Sequence, residues 1–466
     1  MHPRNKVLNG GPVLWLALTA ICSFHLAYAI KNCQVLFILF FYCLFQLANL
    51  QTSRRAFYIG LGIGLAIYAP QLSFFWTIFQ IAAVPLWVIL SAWLALFLVI
   101  GRACFKRFGP VGWACAAPFV WTGLEYFRSE LYYLRFSWLN AGYAFSNSDC
   151  LHYLAAYGVY GIGFVLMVIA AFFGVVRLLS FPGKILAGTA GTLLLLYPVM
   201  ASAPQNLHQS FRITGVQLEF PGPSEVVLGL NRAIDKFPDT DLFVLSEYTF
   251  NGPIPDIIKK WCRKHGKYLV AGGEDMISAK QYYNTAFVVS PQGQIIFRQA
   301  KCVPIQFFKD GEAATNQALW NSPWGRLGFA ICYDASYTRV TDELIRQGAQ
   351  GLIFPTMDVA DWGLRQHQLH GRIAPMRAAE YGVSVFRLCS SGISQFVGPF
   401  GKVLETSPFP GQGEIMSAEM QLAERGRIPF DRWLAPLSVG VTIGLLLWLA
   451  IENFKGRPPS RSDPAK

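Results

Sequence analysis

The chain has 466 residues, of which 53% are hydrophobic and 14% charged, against about 25% charged in ordinary soluble domains. That composition excludes a disordered chain and argues against a purely soluble one. Lys and Arg number 39 against 27 Asp and Glu, a net charge of +12, but most of the surplus borders apolar runs, so it points to membrane topology and away from nucleic acid.

Apolar runs predict membrane spans near 12–30, 34–50, 56–78, 84–101, 109–127, 153–176 and 185–204, and one more near 433–451. Ala56 to Gly101 holds no Asp, Glu, Lys or Arg. One helix of that length would be roughly 70 Å long, so two spans are expected, broken between Gln80 and Pro85. Ala27-Tyr28-Ala29 also fits a signal-peptidase site, although a second apolar run follows at once. Seven spans before residue 205 and one after put both chain ends on one side. Arg4, Lys6, Arg54, Arg55, Arg102, Lys106, Arg107, Arg177, Lys184, Lys455, Arg457, Arg461 and Lys466 fall on that side. The opposite short loops hold only Lys31, Arg128 and Arg135. The positive-inside rule makes both termini cytoplasmic. The expected organisation is a membrane domain of seven helices over 1–204, an extracytoplasmic domain over 205–432, an eighth transmembrane helix over 433–452 and a basic cytoplasmic tail over 453–466.

From Phe211 the pattern changes to short β-rich runs: Arg212–Leu218, Leu242–Leu245, Tyr268–Ala271, Ala286–Ser290, Ile295–Arg298, Leu327–Ile331, Gly351–Phe354 and Ser384–Leu388. Helix-like segments, such as Pro255–His265, Thr338–Gln347 and Gln366–Tyr381, lie between several of them. This alternation predicts an α/β layered domain with its functional residues at strand ends.

Three strand ends carry chemistry: Ser246-Glu247, Ala300-Lys301 and Cys332-Tyr333-Asp334. A carboxylate, an ammonium and a thiol converging at a sheet edge form a set for covalent catalysis. Glu247 would take the thiol proton, Cys332 would attack, and Lys301 would stabilise thiolate and oxyanion. Cys262, Cys302 and Cys389 are rival thiols. No C-x-x-C and no H-E-x-x-H occurs, so neither a metal nor any other cofactor is expected.

Leu242-Phe-Val-Leu-Ser-Glu247, Tyr283-Asn-Thr-Ala-Phe287, Gly325-Arg-Leu-Gly-Phe-Ala-Ile-Cys-Tyr-Asp334, Arg372–Glu380 and Gly398-Pro-Phe-Gly401 resemble the nitrilase (carbon–nitrogen hydrolase) domain. The resemblance implies an αββα sandwich with Glu247, Lys301 and Cys332 as the catalytic set. Pro118-x-x-Trp121-x-x-x-Glu125-x-x-Arg128, Phe136-x-Trp138 and Gly142-Tyr143, with the order of spans, inserted domain and final span, resemble the apolipoprotein N-acyltransferase family over nearly the whole chain. That family passes a phospholipid acyl group to its cysteine as a thioester, and then to the α-amino group of the diacylglyceryl-modified N-terminal cysteine of an apolipoprotein. The resemblance implies a bacterial inner-membrane acyltransferase with its catalytic domain on the periplasmic side.

Trp138 and Tyr143 are the candidates for the lipid pocket, and Tyr333, Asp334, Gln306 and Trp362 for oxyanion or lid roles. Asp358–Gly363, His367 and Arg372 are lid or packing candidates. Glu125 and Arg128, one turn apart, read as a structural ion pair or, as the alternative, as groups that meet a lipid head group. One departure lies close to the chemistry. The family's Lys-Arg-x-x-Val-Pro-Phe-Gly-Glu reads Lys301-Cys-Val-Pro-Ile-Gln-Phe-Phe-Lys309 here. Gln306 or Phe307 stands where the second glutamate belongs, and Glu312, out of register, is its candidate substitute. The competing readings are a membrane-tethered amidohydrolase, an acyltransferase with a different amine acceptor, and an inactive subunit.

Overall fold

A computed structural model of the chain describes residues 8, 10–201 and 207–455. Arg4, Lys6 and the basic tail past Lys455 lie outside the described residues. The first half is helical: α1 (Gly11–Ala29), α2 (Leu36–Leu47), α3 (Ser53–Gln71), α4 (Phe74–Phe79), α5 (Ala83–Tyr126), α6 (Leu151–Leu154), α7 (Val159–Val175) and α8 (Phe181–Ala201). Gly11–Ala29, the Phe74–Leu131 run and a C-terminal helix over Asp431–Glu452 are long and apolar enough to cross a membrane. Val159–Val175 joins them if it forms one span with Leu151–Tyr157, from which it is bent by 94°.

Helical backbone occupies each predicted run, with different bounds. The break expected between Gln80 and Pro85 is present at Gln80, which turns at φ 49°. An earlier break falls at Leu72-Ser73, so α4 stands alone as a six-residue segment. The runs at 84–101 and 109–127 are two helices, as expected, which meet within α5 at a non-helical break at Gly109 (φ 70°). Glycine accepts that angle without a side-chain clash, and Pro110 has no N–H for the preceding turn. The axes of α3 and α5 lie close, because a Cβ on Gly60 or Gly64 would come within 2.5 Å of Ala95 Cα or 2.7 Å of Ser91 Cα. Small residues at such crossings replace the hydrophobic driving force that lipid does not supply.

The second half contains β1 (Leu207–Val216), α9 (Pro223–Lys236), β2 (Leu242–Val244), α10 (Asp256–His265), β3 (Tyr268–Met276), β4 (Tyr282–Val289), β5 (Ile295–Ala300), β6 (Leu319–Ser322) and β7 (Gly325–Phe329). It continues with α11 (Thr338–Arg346), β8 (Gly351–Thr356), α12 (Leu364–His370), α13 (Ile373–Tyr381), β9 (Ser384–Cys389), β10 (Gln395–Val397), β11 (Val403–Thr406), β12 (Ile415–Ala423) and α14 (Asp431–Lys455). Two six-stranded sheets result, in the orders β12-β1-β2-β3-β4-β5 and β11-β10-β9-β8-β7-β6.

The period-2 alternation of β2 shows how the layers form. Leu242 and Val244 point into the inter-sheet core with Leu327, Phe329, Ile353 and Phe386. Phe243 and Leu245 point the other way, onto Val226, Leu230 and Ile258 of α9 and α10. On the far side, Leu344 of α11 and Ala374 and Ala378 of α13 pack with Leu352 and Val385. This is the αββα sandwich. The helix expected over Gln366–Tyr381 is divided into α12 and α13 by Gly371-Arg372.

The two halves are joined by buried polar groups as well as apolar ones. Glu130 accepts the N–H and hydroxyl of Thr338, both at 2.9 Å, and Glu380 accepts Val159 N–H at 2.7 Å. Arg377 donates to the carbonyls of Ala335 and Ser336, the residues that follow the Cys332 turn. Trp138 of the helical half donates Nε1 to Ser336 Oγ at 3.0 Å, which ties the same turn across the seam.

Candidate active site

Glu247 follows β2, Lys301 follows β5 and Cys332 follows β7, so the first two come from one sheet and the thiol from the other. All three are buried. Cys332 sits at φ 50°, a left-handed geometry that costs a residue with a side chain about 1–3 kcal/mol and is concentrated at functional sites. Tyr248, Phe307 and Phe220, which also border the site, share this geometry.

Lys301 Nζ donates to Glu247 Oε1 at 2.8 Å. Glu247 Oε1 also accepts Asn284 Nδ2 at 2.6 Å, and Oε2 accepts the Met357 N–H at 2.8 Å. Burial pushes the Glu247 carboxyl above its ordinary value, although Lys301 opposes this. Burial and the Glu247 charge hold the Cys332 thiol well above its ordinary value, against the pull of Lys301. Burial alone would lower the Lys301 ammonium, but two carboxylates outweigh it and hold it well above the usual range. Burial thus favours the neutral thiol of Cys332.

The second carboxylate is Asp310. Its Oδ2 lies 2.8 Å from Lys301 Nζ, and its Oδ1 accepts Asn284 Nδ2 at 2.9 Å and the Tyr248 hydroxyl at 3.0 Å. Glu312, expected as the substitute, is exposed and is reached instead by Gln281 Nε2 at 3.4 Å. Neither Gln306 nor Phe307 fills the role. Gln306 Nε2 points to the Tyr133 carbonyl at 3.4 Å, and Phe307 is exposed. A turn through Phe307 (φ 71°) and a bond of 2.7 Å from the Ile305 N–H to Asp310 Oδ2 fold the short loop back. The sequence signal was an acid downstream of the lysine; its register depends on that turn. Asn284, within the Tyr283–Phe287 motif, bridges both carboxylates and was not singled out either.

Asp334 has a different role from the expected one. Its carboxylate accepts N–H groups from Val303 at 2.7 Å, Cys302 at 3.0 Å and Ile331 at 3.2 Å. Burial pushes it up to about 6. As an acceptor it cannot hold an oxyanion; it fixes the backbone next to Lys301 and next to Cys332. Tyr333 donates its hydroxyl to the Arg135 carbonyl at 3.1 Å and lies edge-on to Trp138. Cys302 takes a bond from Gln317 Nε2 at 3.0 Å, and burial pushes its thiol up to about 12. Burial also pushes Cys262 up to about 12 and raises Cys389. None of these three thiols shares the Glu247–Lys301 pair.

An apolar cavity runs between the halves, with walls that include Phe75, Phe79, Leu86, Trp138, Phe308 and Tyr333. A second space opens over Glu247, Tyr248, Asp310 and Met357. Ile305, Phe308 and Trp362 line both, so Trp362 and this loop form a shared wall. Trp138 is a cavity residue as expected. It donates Nε1 to Ser336 Oγ at 3.0 Å and stacks on His370 with ring centres 4.7 Å apart.

Tyr143 is not a cavity residue. It is buried, and its hydroxyl accepts Arg377 Nη2 at 2.9 Å, so it is packing between the halves. Glu125 and Arg128 do not pair directly among the described residues: Glu125 accepts Ala141 N–H at 3.2 Å, and Arg128 donates to Asn140 Oδ1 at 2.5 Å.

Asp358 is buried, not part of an open lid. It accepts His370 Nδ1 at 2.7 Å, Gln366 Nε2 at 3.0 Å and Arg387 Nη2 at 2.5 Å. Burial alone would raise it, but His370 and Arg387 hold it well below the ordinary carboxylate range. His367 stacks on Phe409 with ring centres 4.1 Å apart. Among the described residues no group of His, Cys, Asp and Glu is arranged to hold a metal ion.

The family model for the apolipoprotein N-acyltransferase N-terminal domain matches residues 12–172, and the carbon–nitrogen hydrolase model matches residues 225–430. The chain is 25% identical over 460 residues to the apolipoprotein N-acyltransferase of Azotobacter vinelandii, covering 86% of this chain and 87% of that one. It is 23% identical over 432 residues to that of Geobacter metallireducens, covering 80% and 82%. With the omega-amidase NIT2-B of Xenopus laevis it shares 24% over 202 residues, 39% of this chain and 72% of that one. The amidase aligns with less than half of the chain, whereas the acyltransferases align along most of it. The chain is thus similar along most of its length to the apolipoprotein N-acyltransferases, as a divergent relative within the carbon–nitrogen hydrolase superfamily.

Proposed function

We propose that the protein transfers an acyl chain from a membrane phospholipid, through a Cys332 thioester, to the α-amino group of the N-terminal lipid-modified cysteine of apolipoproteins. The observation that carries this reading is the apolar cavity between the halves, which borders the catalytic mouth through Ile305, Phe308 and Trp362. A hydrolase of small soluble amides needs no such space; an acyl tail does.

In the first half-reaction Glu247 takes the Cys332 proton as sulfur attacks the ester carbonyl. Lys301 has three N–H donors and spends two on Glu247 and Asp310; the third is free for the oxyanion. The tetrahedral intermediate collapses to the thioester, and Glu247 returns its proton to the departing lysophospholipid alkoxide. In the second half-reaction the amine attacks the thioester, Glu247 accepts its proton, and Cys332 leaves and is reprotonated. The order is ping-pong.

The placement follows the charge pattern: a bacterial inner-membrane protein with residues 205–432 on the periplasmic side and both termini cytoplasmic. The test is the intact mass of purified protein after incubation with phospholipid alone, beside Cys332→Ala. A hydroxylamine-labile acyl adduct on the wild type only is expected. Release of free fatty acid without an adduct or an acylated amine would replace this reading with a membrane-tethered hydrolase.

A further inference from the structure

A separate open cavity lies on the seam between the halves and shares no lining residue with the apolar cavity or the catalytic mouth. Its walls come from the α1–α2 loop, the 146–152 segment and the β10–β11 hairpin, with Arg372 between α12 and α13. They carry Lys31, Lys402, Arg372 and His152, and one acid, Asp149, which pairs with Lys31 at 3.1 Å.

Arg372 is the informative member. It is only 8% exposed. Its guanidinium donates to three backbone carbonyls, those of Tyr28 at 2.7 Å, Ala144 at 3.1 Å and Tyr143 at 3.3 Å. No carboxylate pairs with it among the described residues. Its Nε and the Oγ of Ser146, on another wall of the same cavity, are buried without a hydrogen-bond partner. A buried cation without a counter-charge and an orphaned hydroxyl are both costly. Phosphoryl oxygens, which are anionic and accept several N–H and O–H bonds, would satisfy both.

We propose that this cavity binds a phosphoryl group, that of an anionic phospholipid headgroup or free phosphate, with Arg372 and Ser146 at its base and Lys31, Lys402 and His152 at its rim. The site does not depend on Cys332 carrying an acyl group, so it stands or falls apart from the proposed reaction.

The test uses the full chain in detergent carrying Cys332→Ala, which prevents turnover. Calorimetric titration is made with dioctanoyl phosphatidylglycerol, with dioctanoyl phosphatidylcholine and with inorganic phosphate. Removing both rim lysines, as Lys31→Ala/Lys402→Ala, is expected to weaken phosphatidylglycerol binding about tenfold or more, with a smaller effect on the zwitterionic lipid. Arg372 also holds the seam through three carbonyls, so Arg372→Gln tests folding as well as binding; the rim variant and Ser146→Ala keep the proposal open to refutation. Competition by millimolar phosphate assigns the site to the free anion, and its absence assigns it to the headgroup. Equal affinities of parent and rim variant for both phosphatidylglycerol and phosphate would overturn the proposal.

Discussion

Asp310 holds the Lys301 ammonium at 2.8 Å, the same separation at which Glu247 holds it from a different strand. Two carboxylates and one ammonium leave the site net negative while the thiol is neutral. Burial and the Glu247 charge hold the Cys332 thiol well above its ordinary value, and the two carboxylates fix where the ammonium points. Asp310→Asn removes one of two anchors and leaves the oxyanion donor loosely aimed. Its rate of thioester formation is expected to fall about 100-fold, the scale seen when one oxyanion donor is lost. Glu312→Gln is expected to match the wild type. A dead Glu312 variant beside an active Asp310 variant would reverse the assignment.

Cys332→Ala should carry no acyl group and show no turnover, and Lys301→Ala should be equally inactive. Cys302→Ala should be close to the wild type, because its sulfur faces Gln317. Mass spectrometry of the three variants after incubation with phospholipid separates the thiols.

The acylation rate should fall on acidification with a midpoint above the ordinary carboxylate value of about 4.3. Glu247 must be ionised to act as base, and burial raises its pKa. As the pH drops through that raised value, the fraction of competent base declines. A rate that stays level down to the ordinary carboxylate range would exclude Glu247 as the base.

Asp358→Asn should be among the most destabilising single changes in the sandwich. It strips the counter-charge from buried Arg387 and the acceptor from His370; breaking one side of a buried pair costs about 3–5 kcal/mol. The folded-state pKa of Asp358 lies well below its unfolded value. Its stabilisation is therefore full above the unfolded value of about 3.9 and is lost as the pH falls toward the folded one. Denaturant titration at neutral pH should show the loss, and the gap between wild type and variant should narrow in strong acid.

Ile89→Trp, on the α5 wall of the apolar cavity, should shift donor preference toward shorter acyl chains. The readout is kcat/KM across a series of phospholipids of different chain length. An unchanged profile would remove this cavity from the donor site.

The three candidate side chains of the site could be read from the sequence because each closes a run of β-forming residues and so falls at a strand end. The layered fold was legible for the same reason, in the alternation of residues such as Leu242 to Leu245. Asp310 was not, because its position depends on a turn at Phe307 that no local pattern announces. Tyr143 failed for another reason. An aromatic ring with a polar tip suits a membrane interface and a buried seam equally well, and only the position of Arg377 distinguishes them. The 3-residue β10 and 4-residue β11 are too short to show a period.

Asp334 gathers N–H groups from Cys302 and Val303, next to the lysine, and from Ile331, next to the nucleophile. Those residues arrive from opposite sheets of the sandwich. If one sheet slides against the other, the ammonium and the sulfur move as a pair and their separation is preserved. The site carries its own internal ruler, so motion in the surrounding domain, or in the membrane beneath it, need not detune the chemistry.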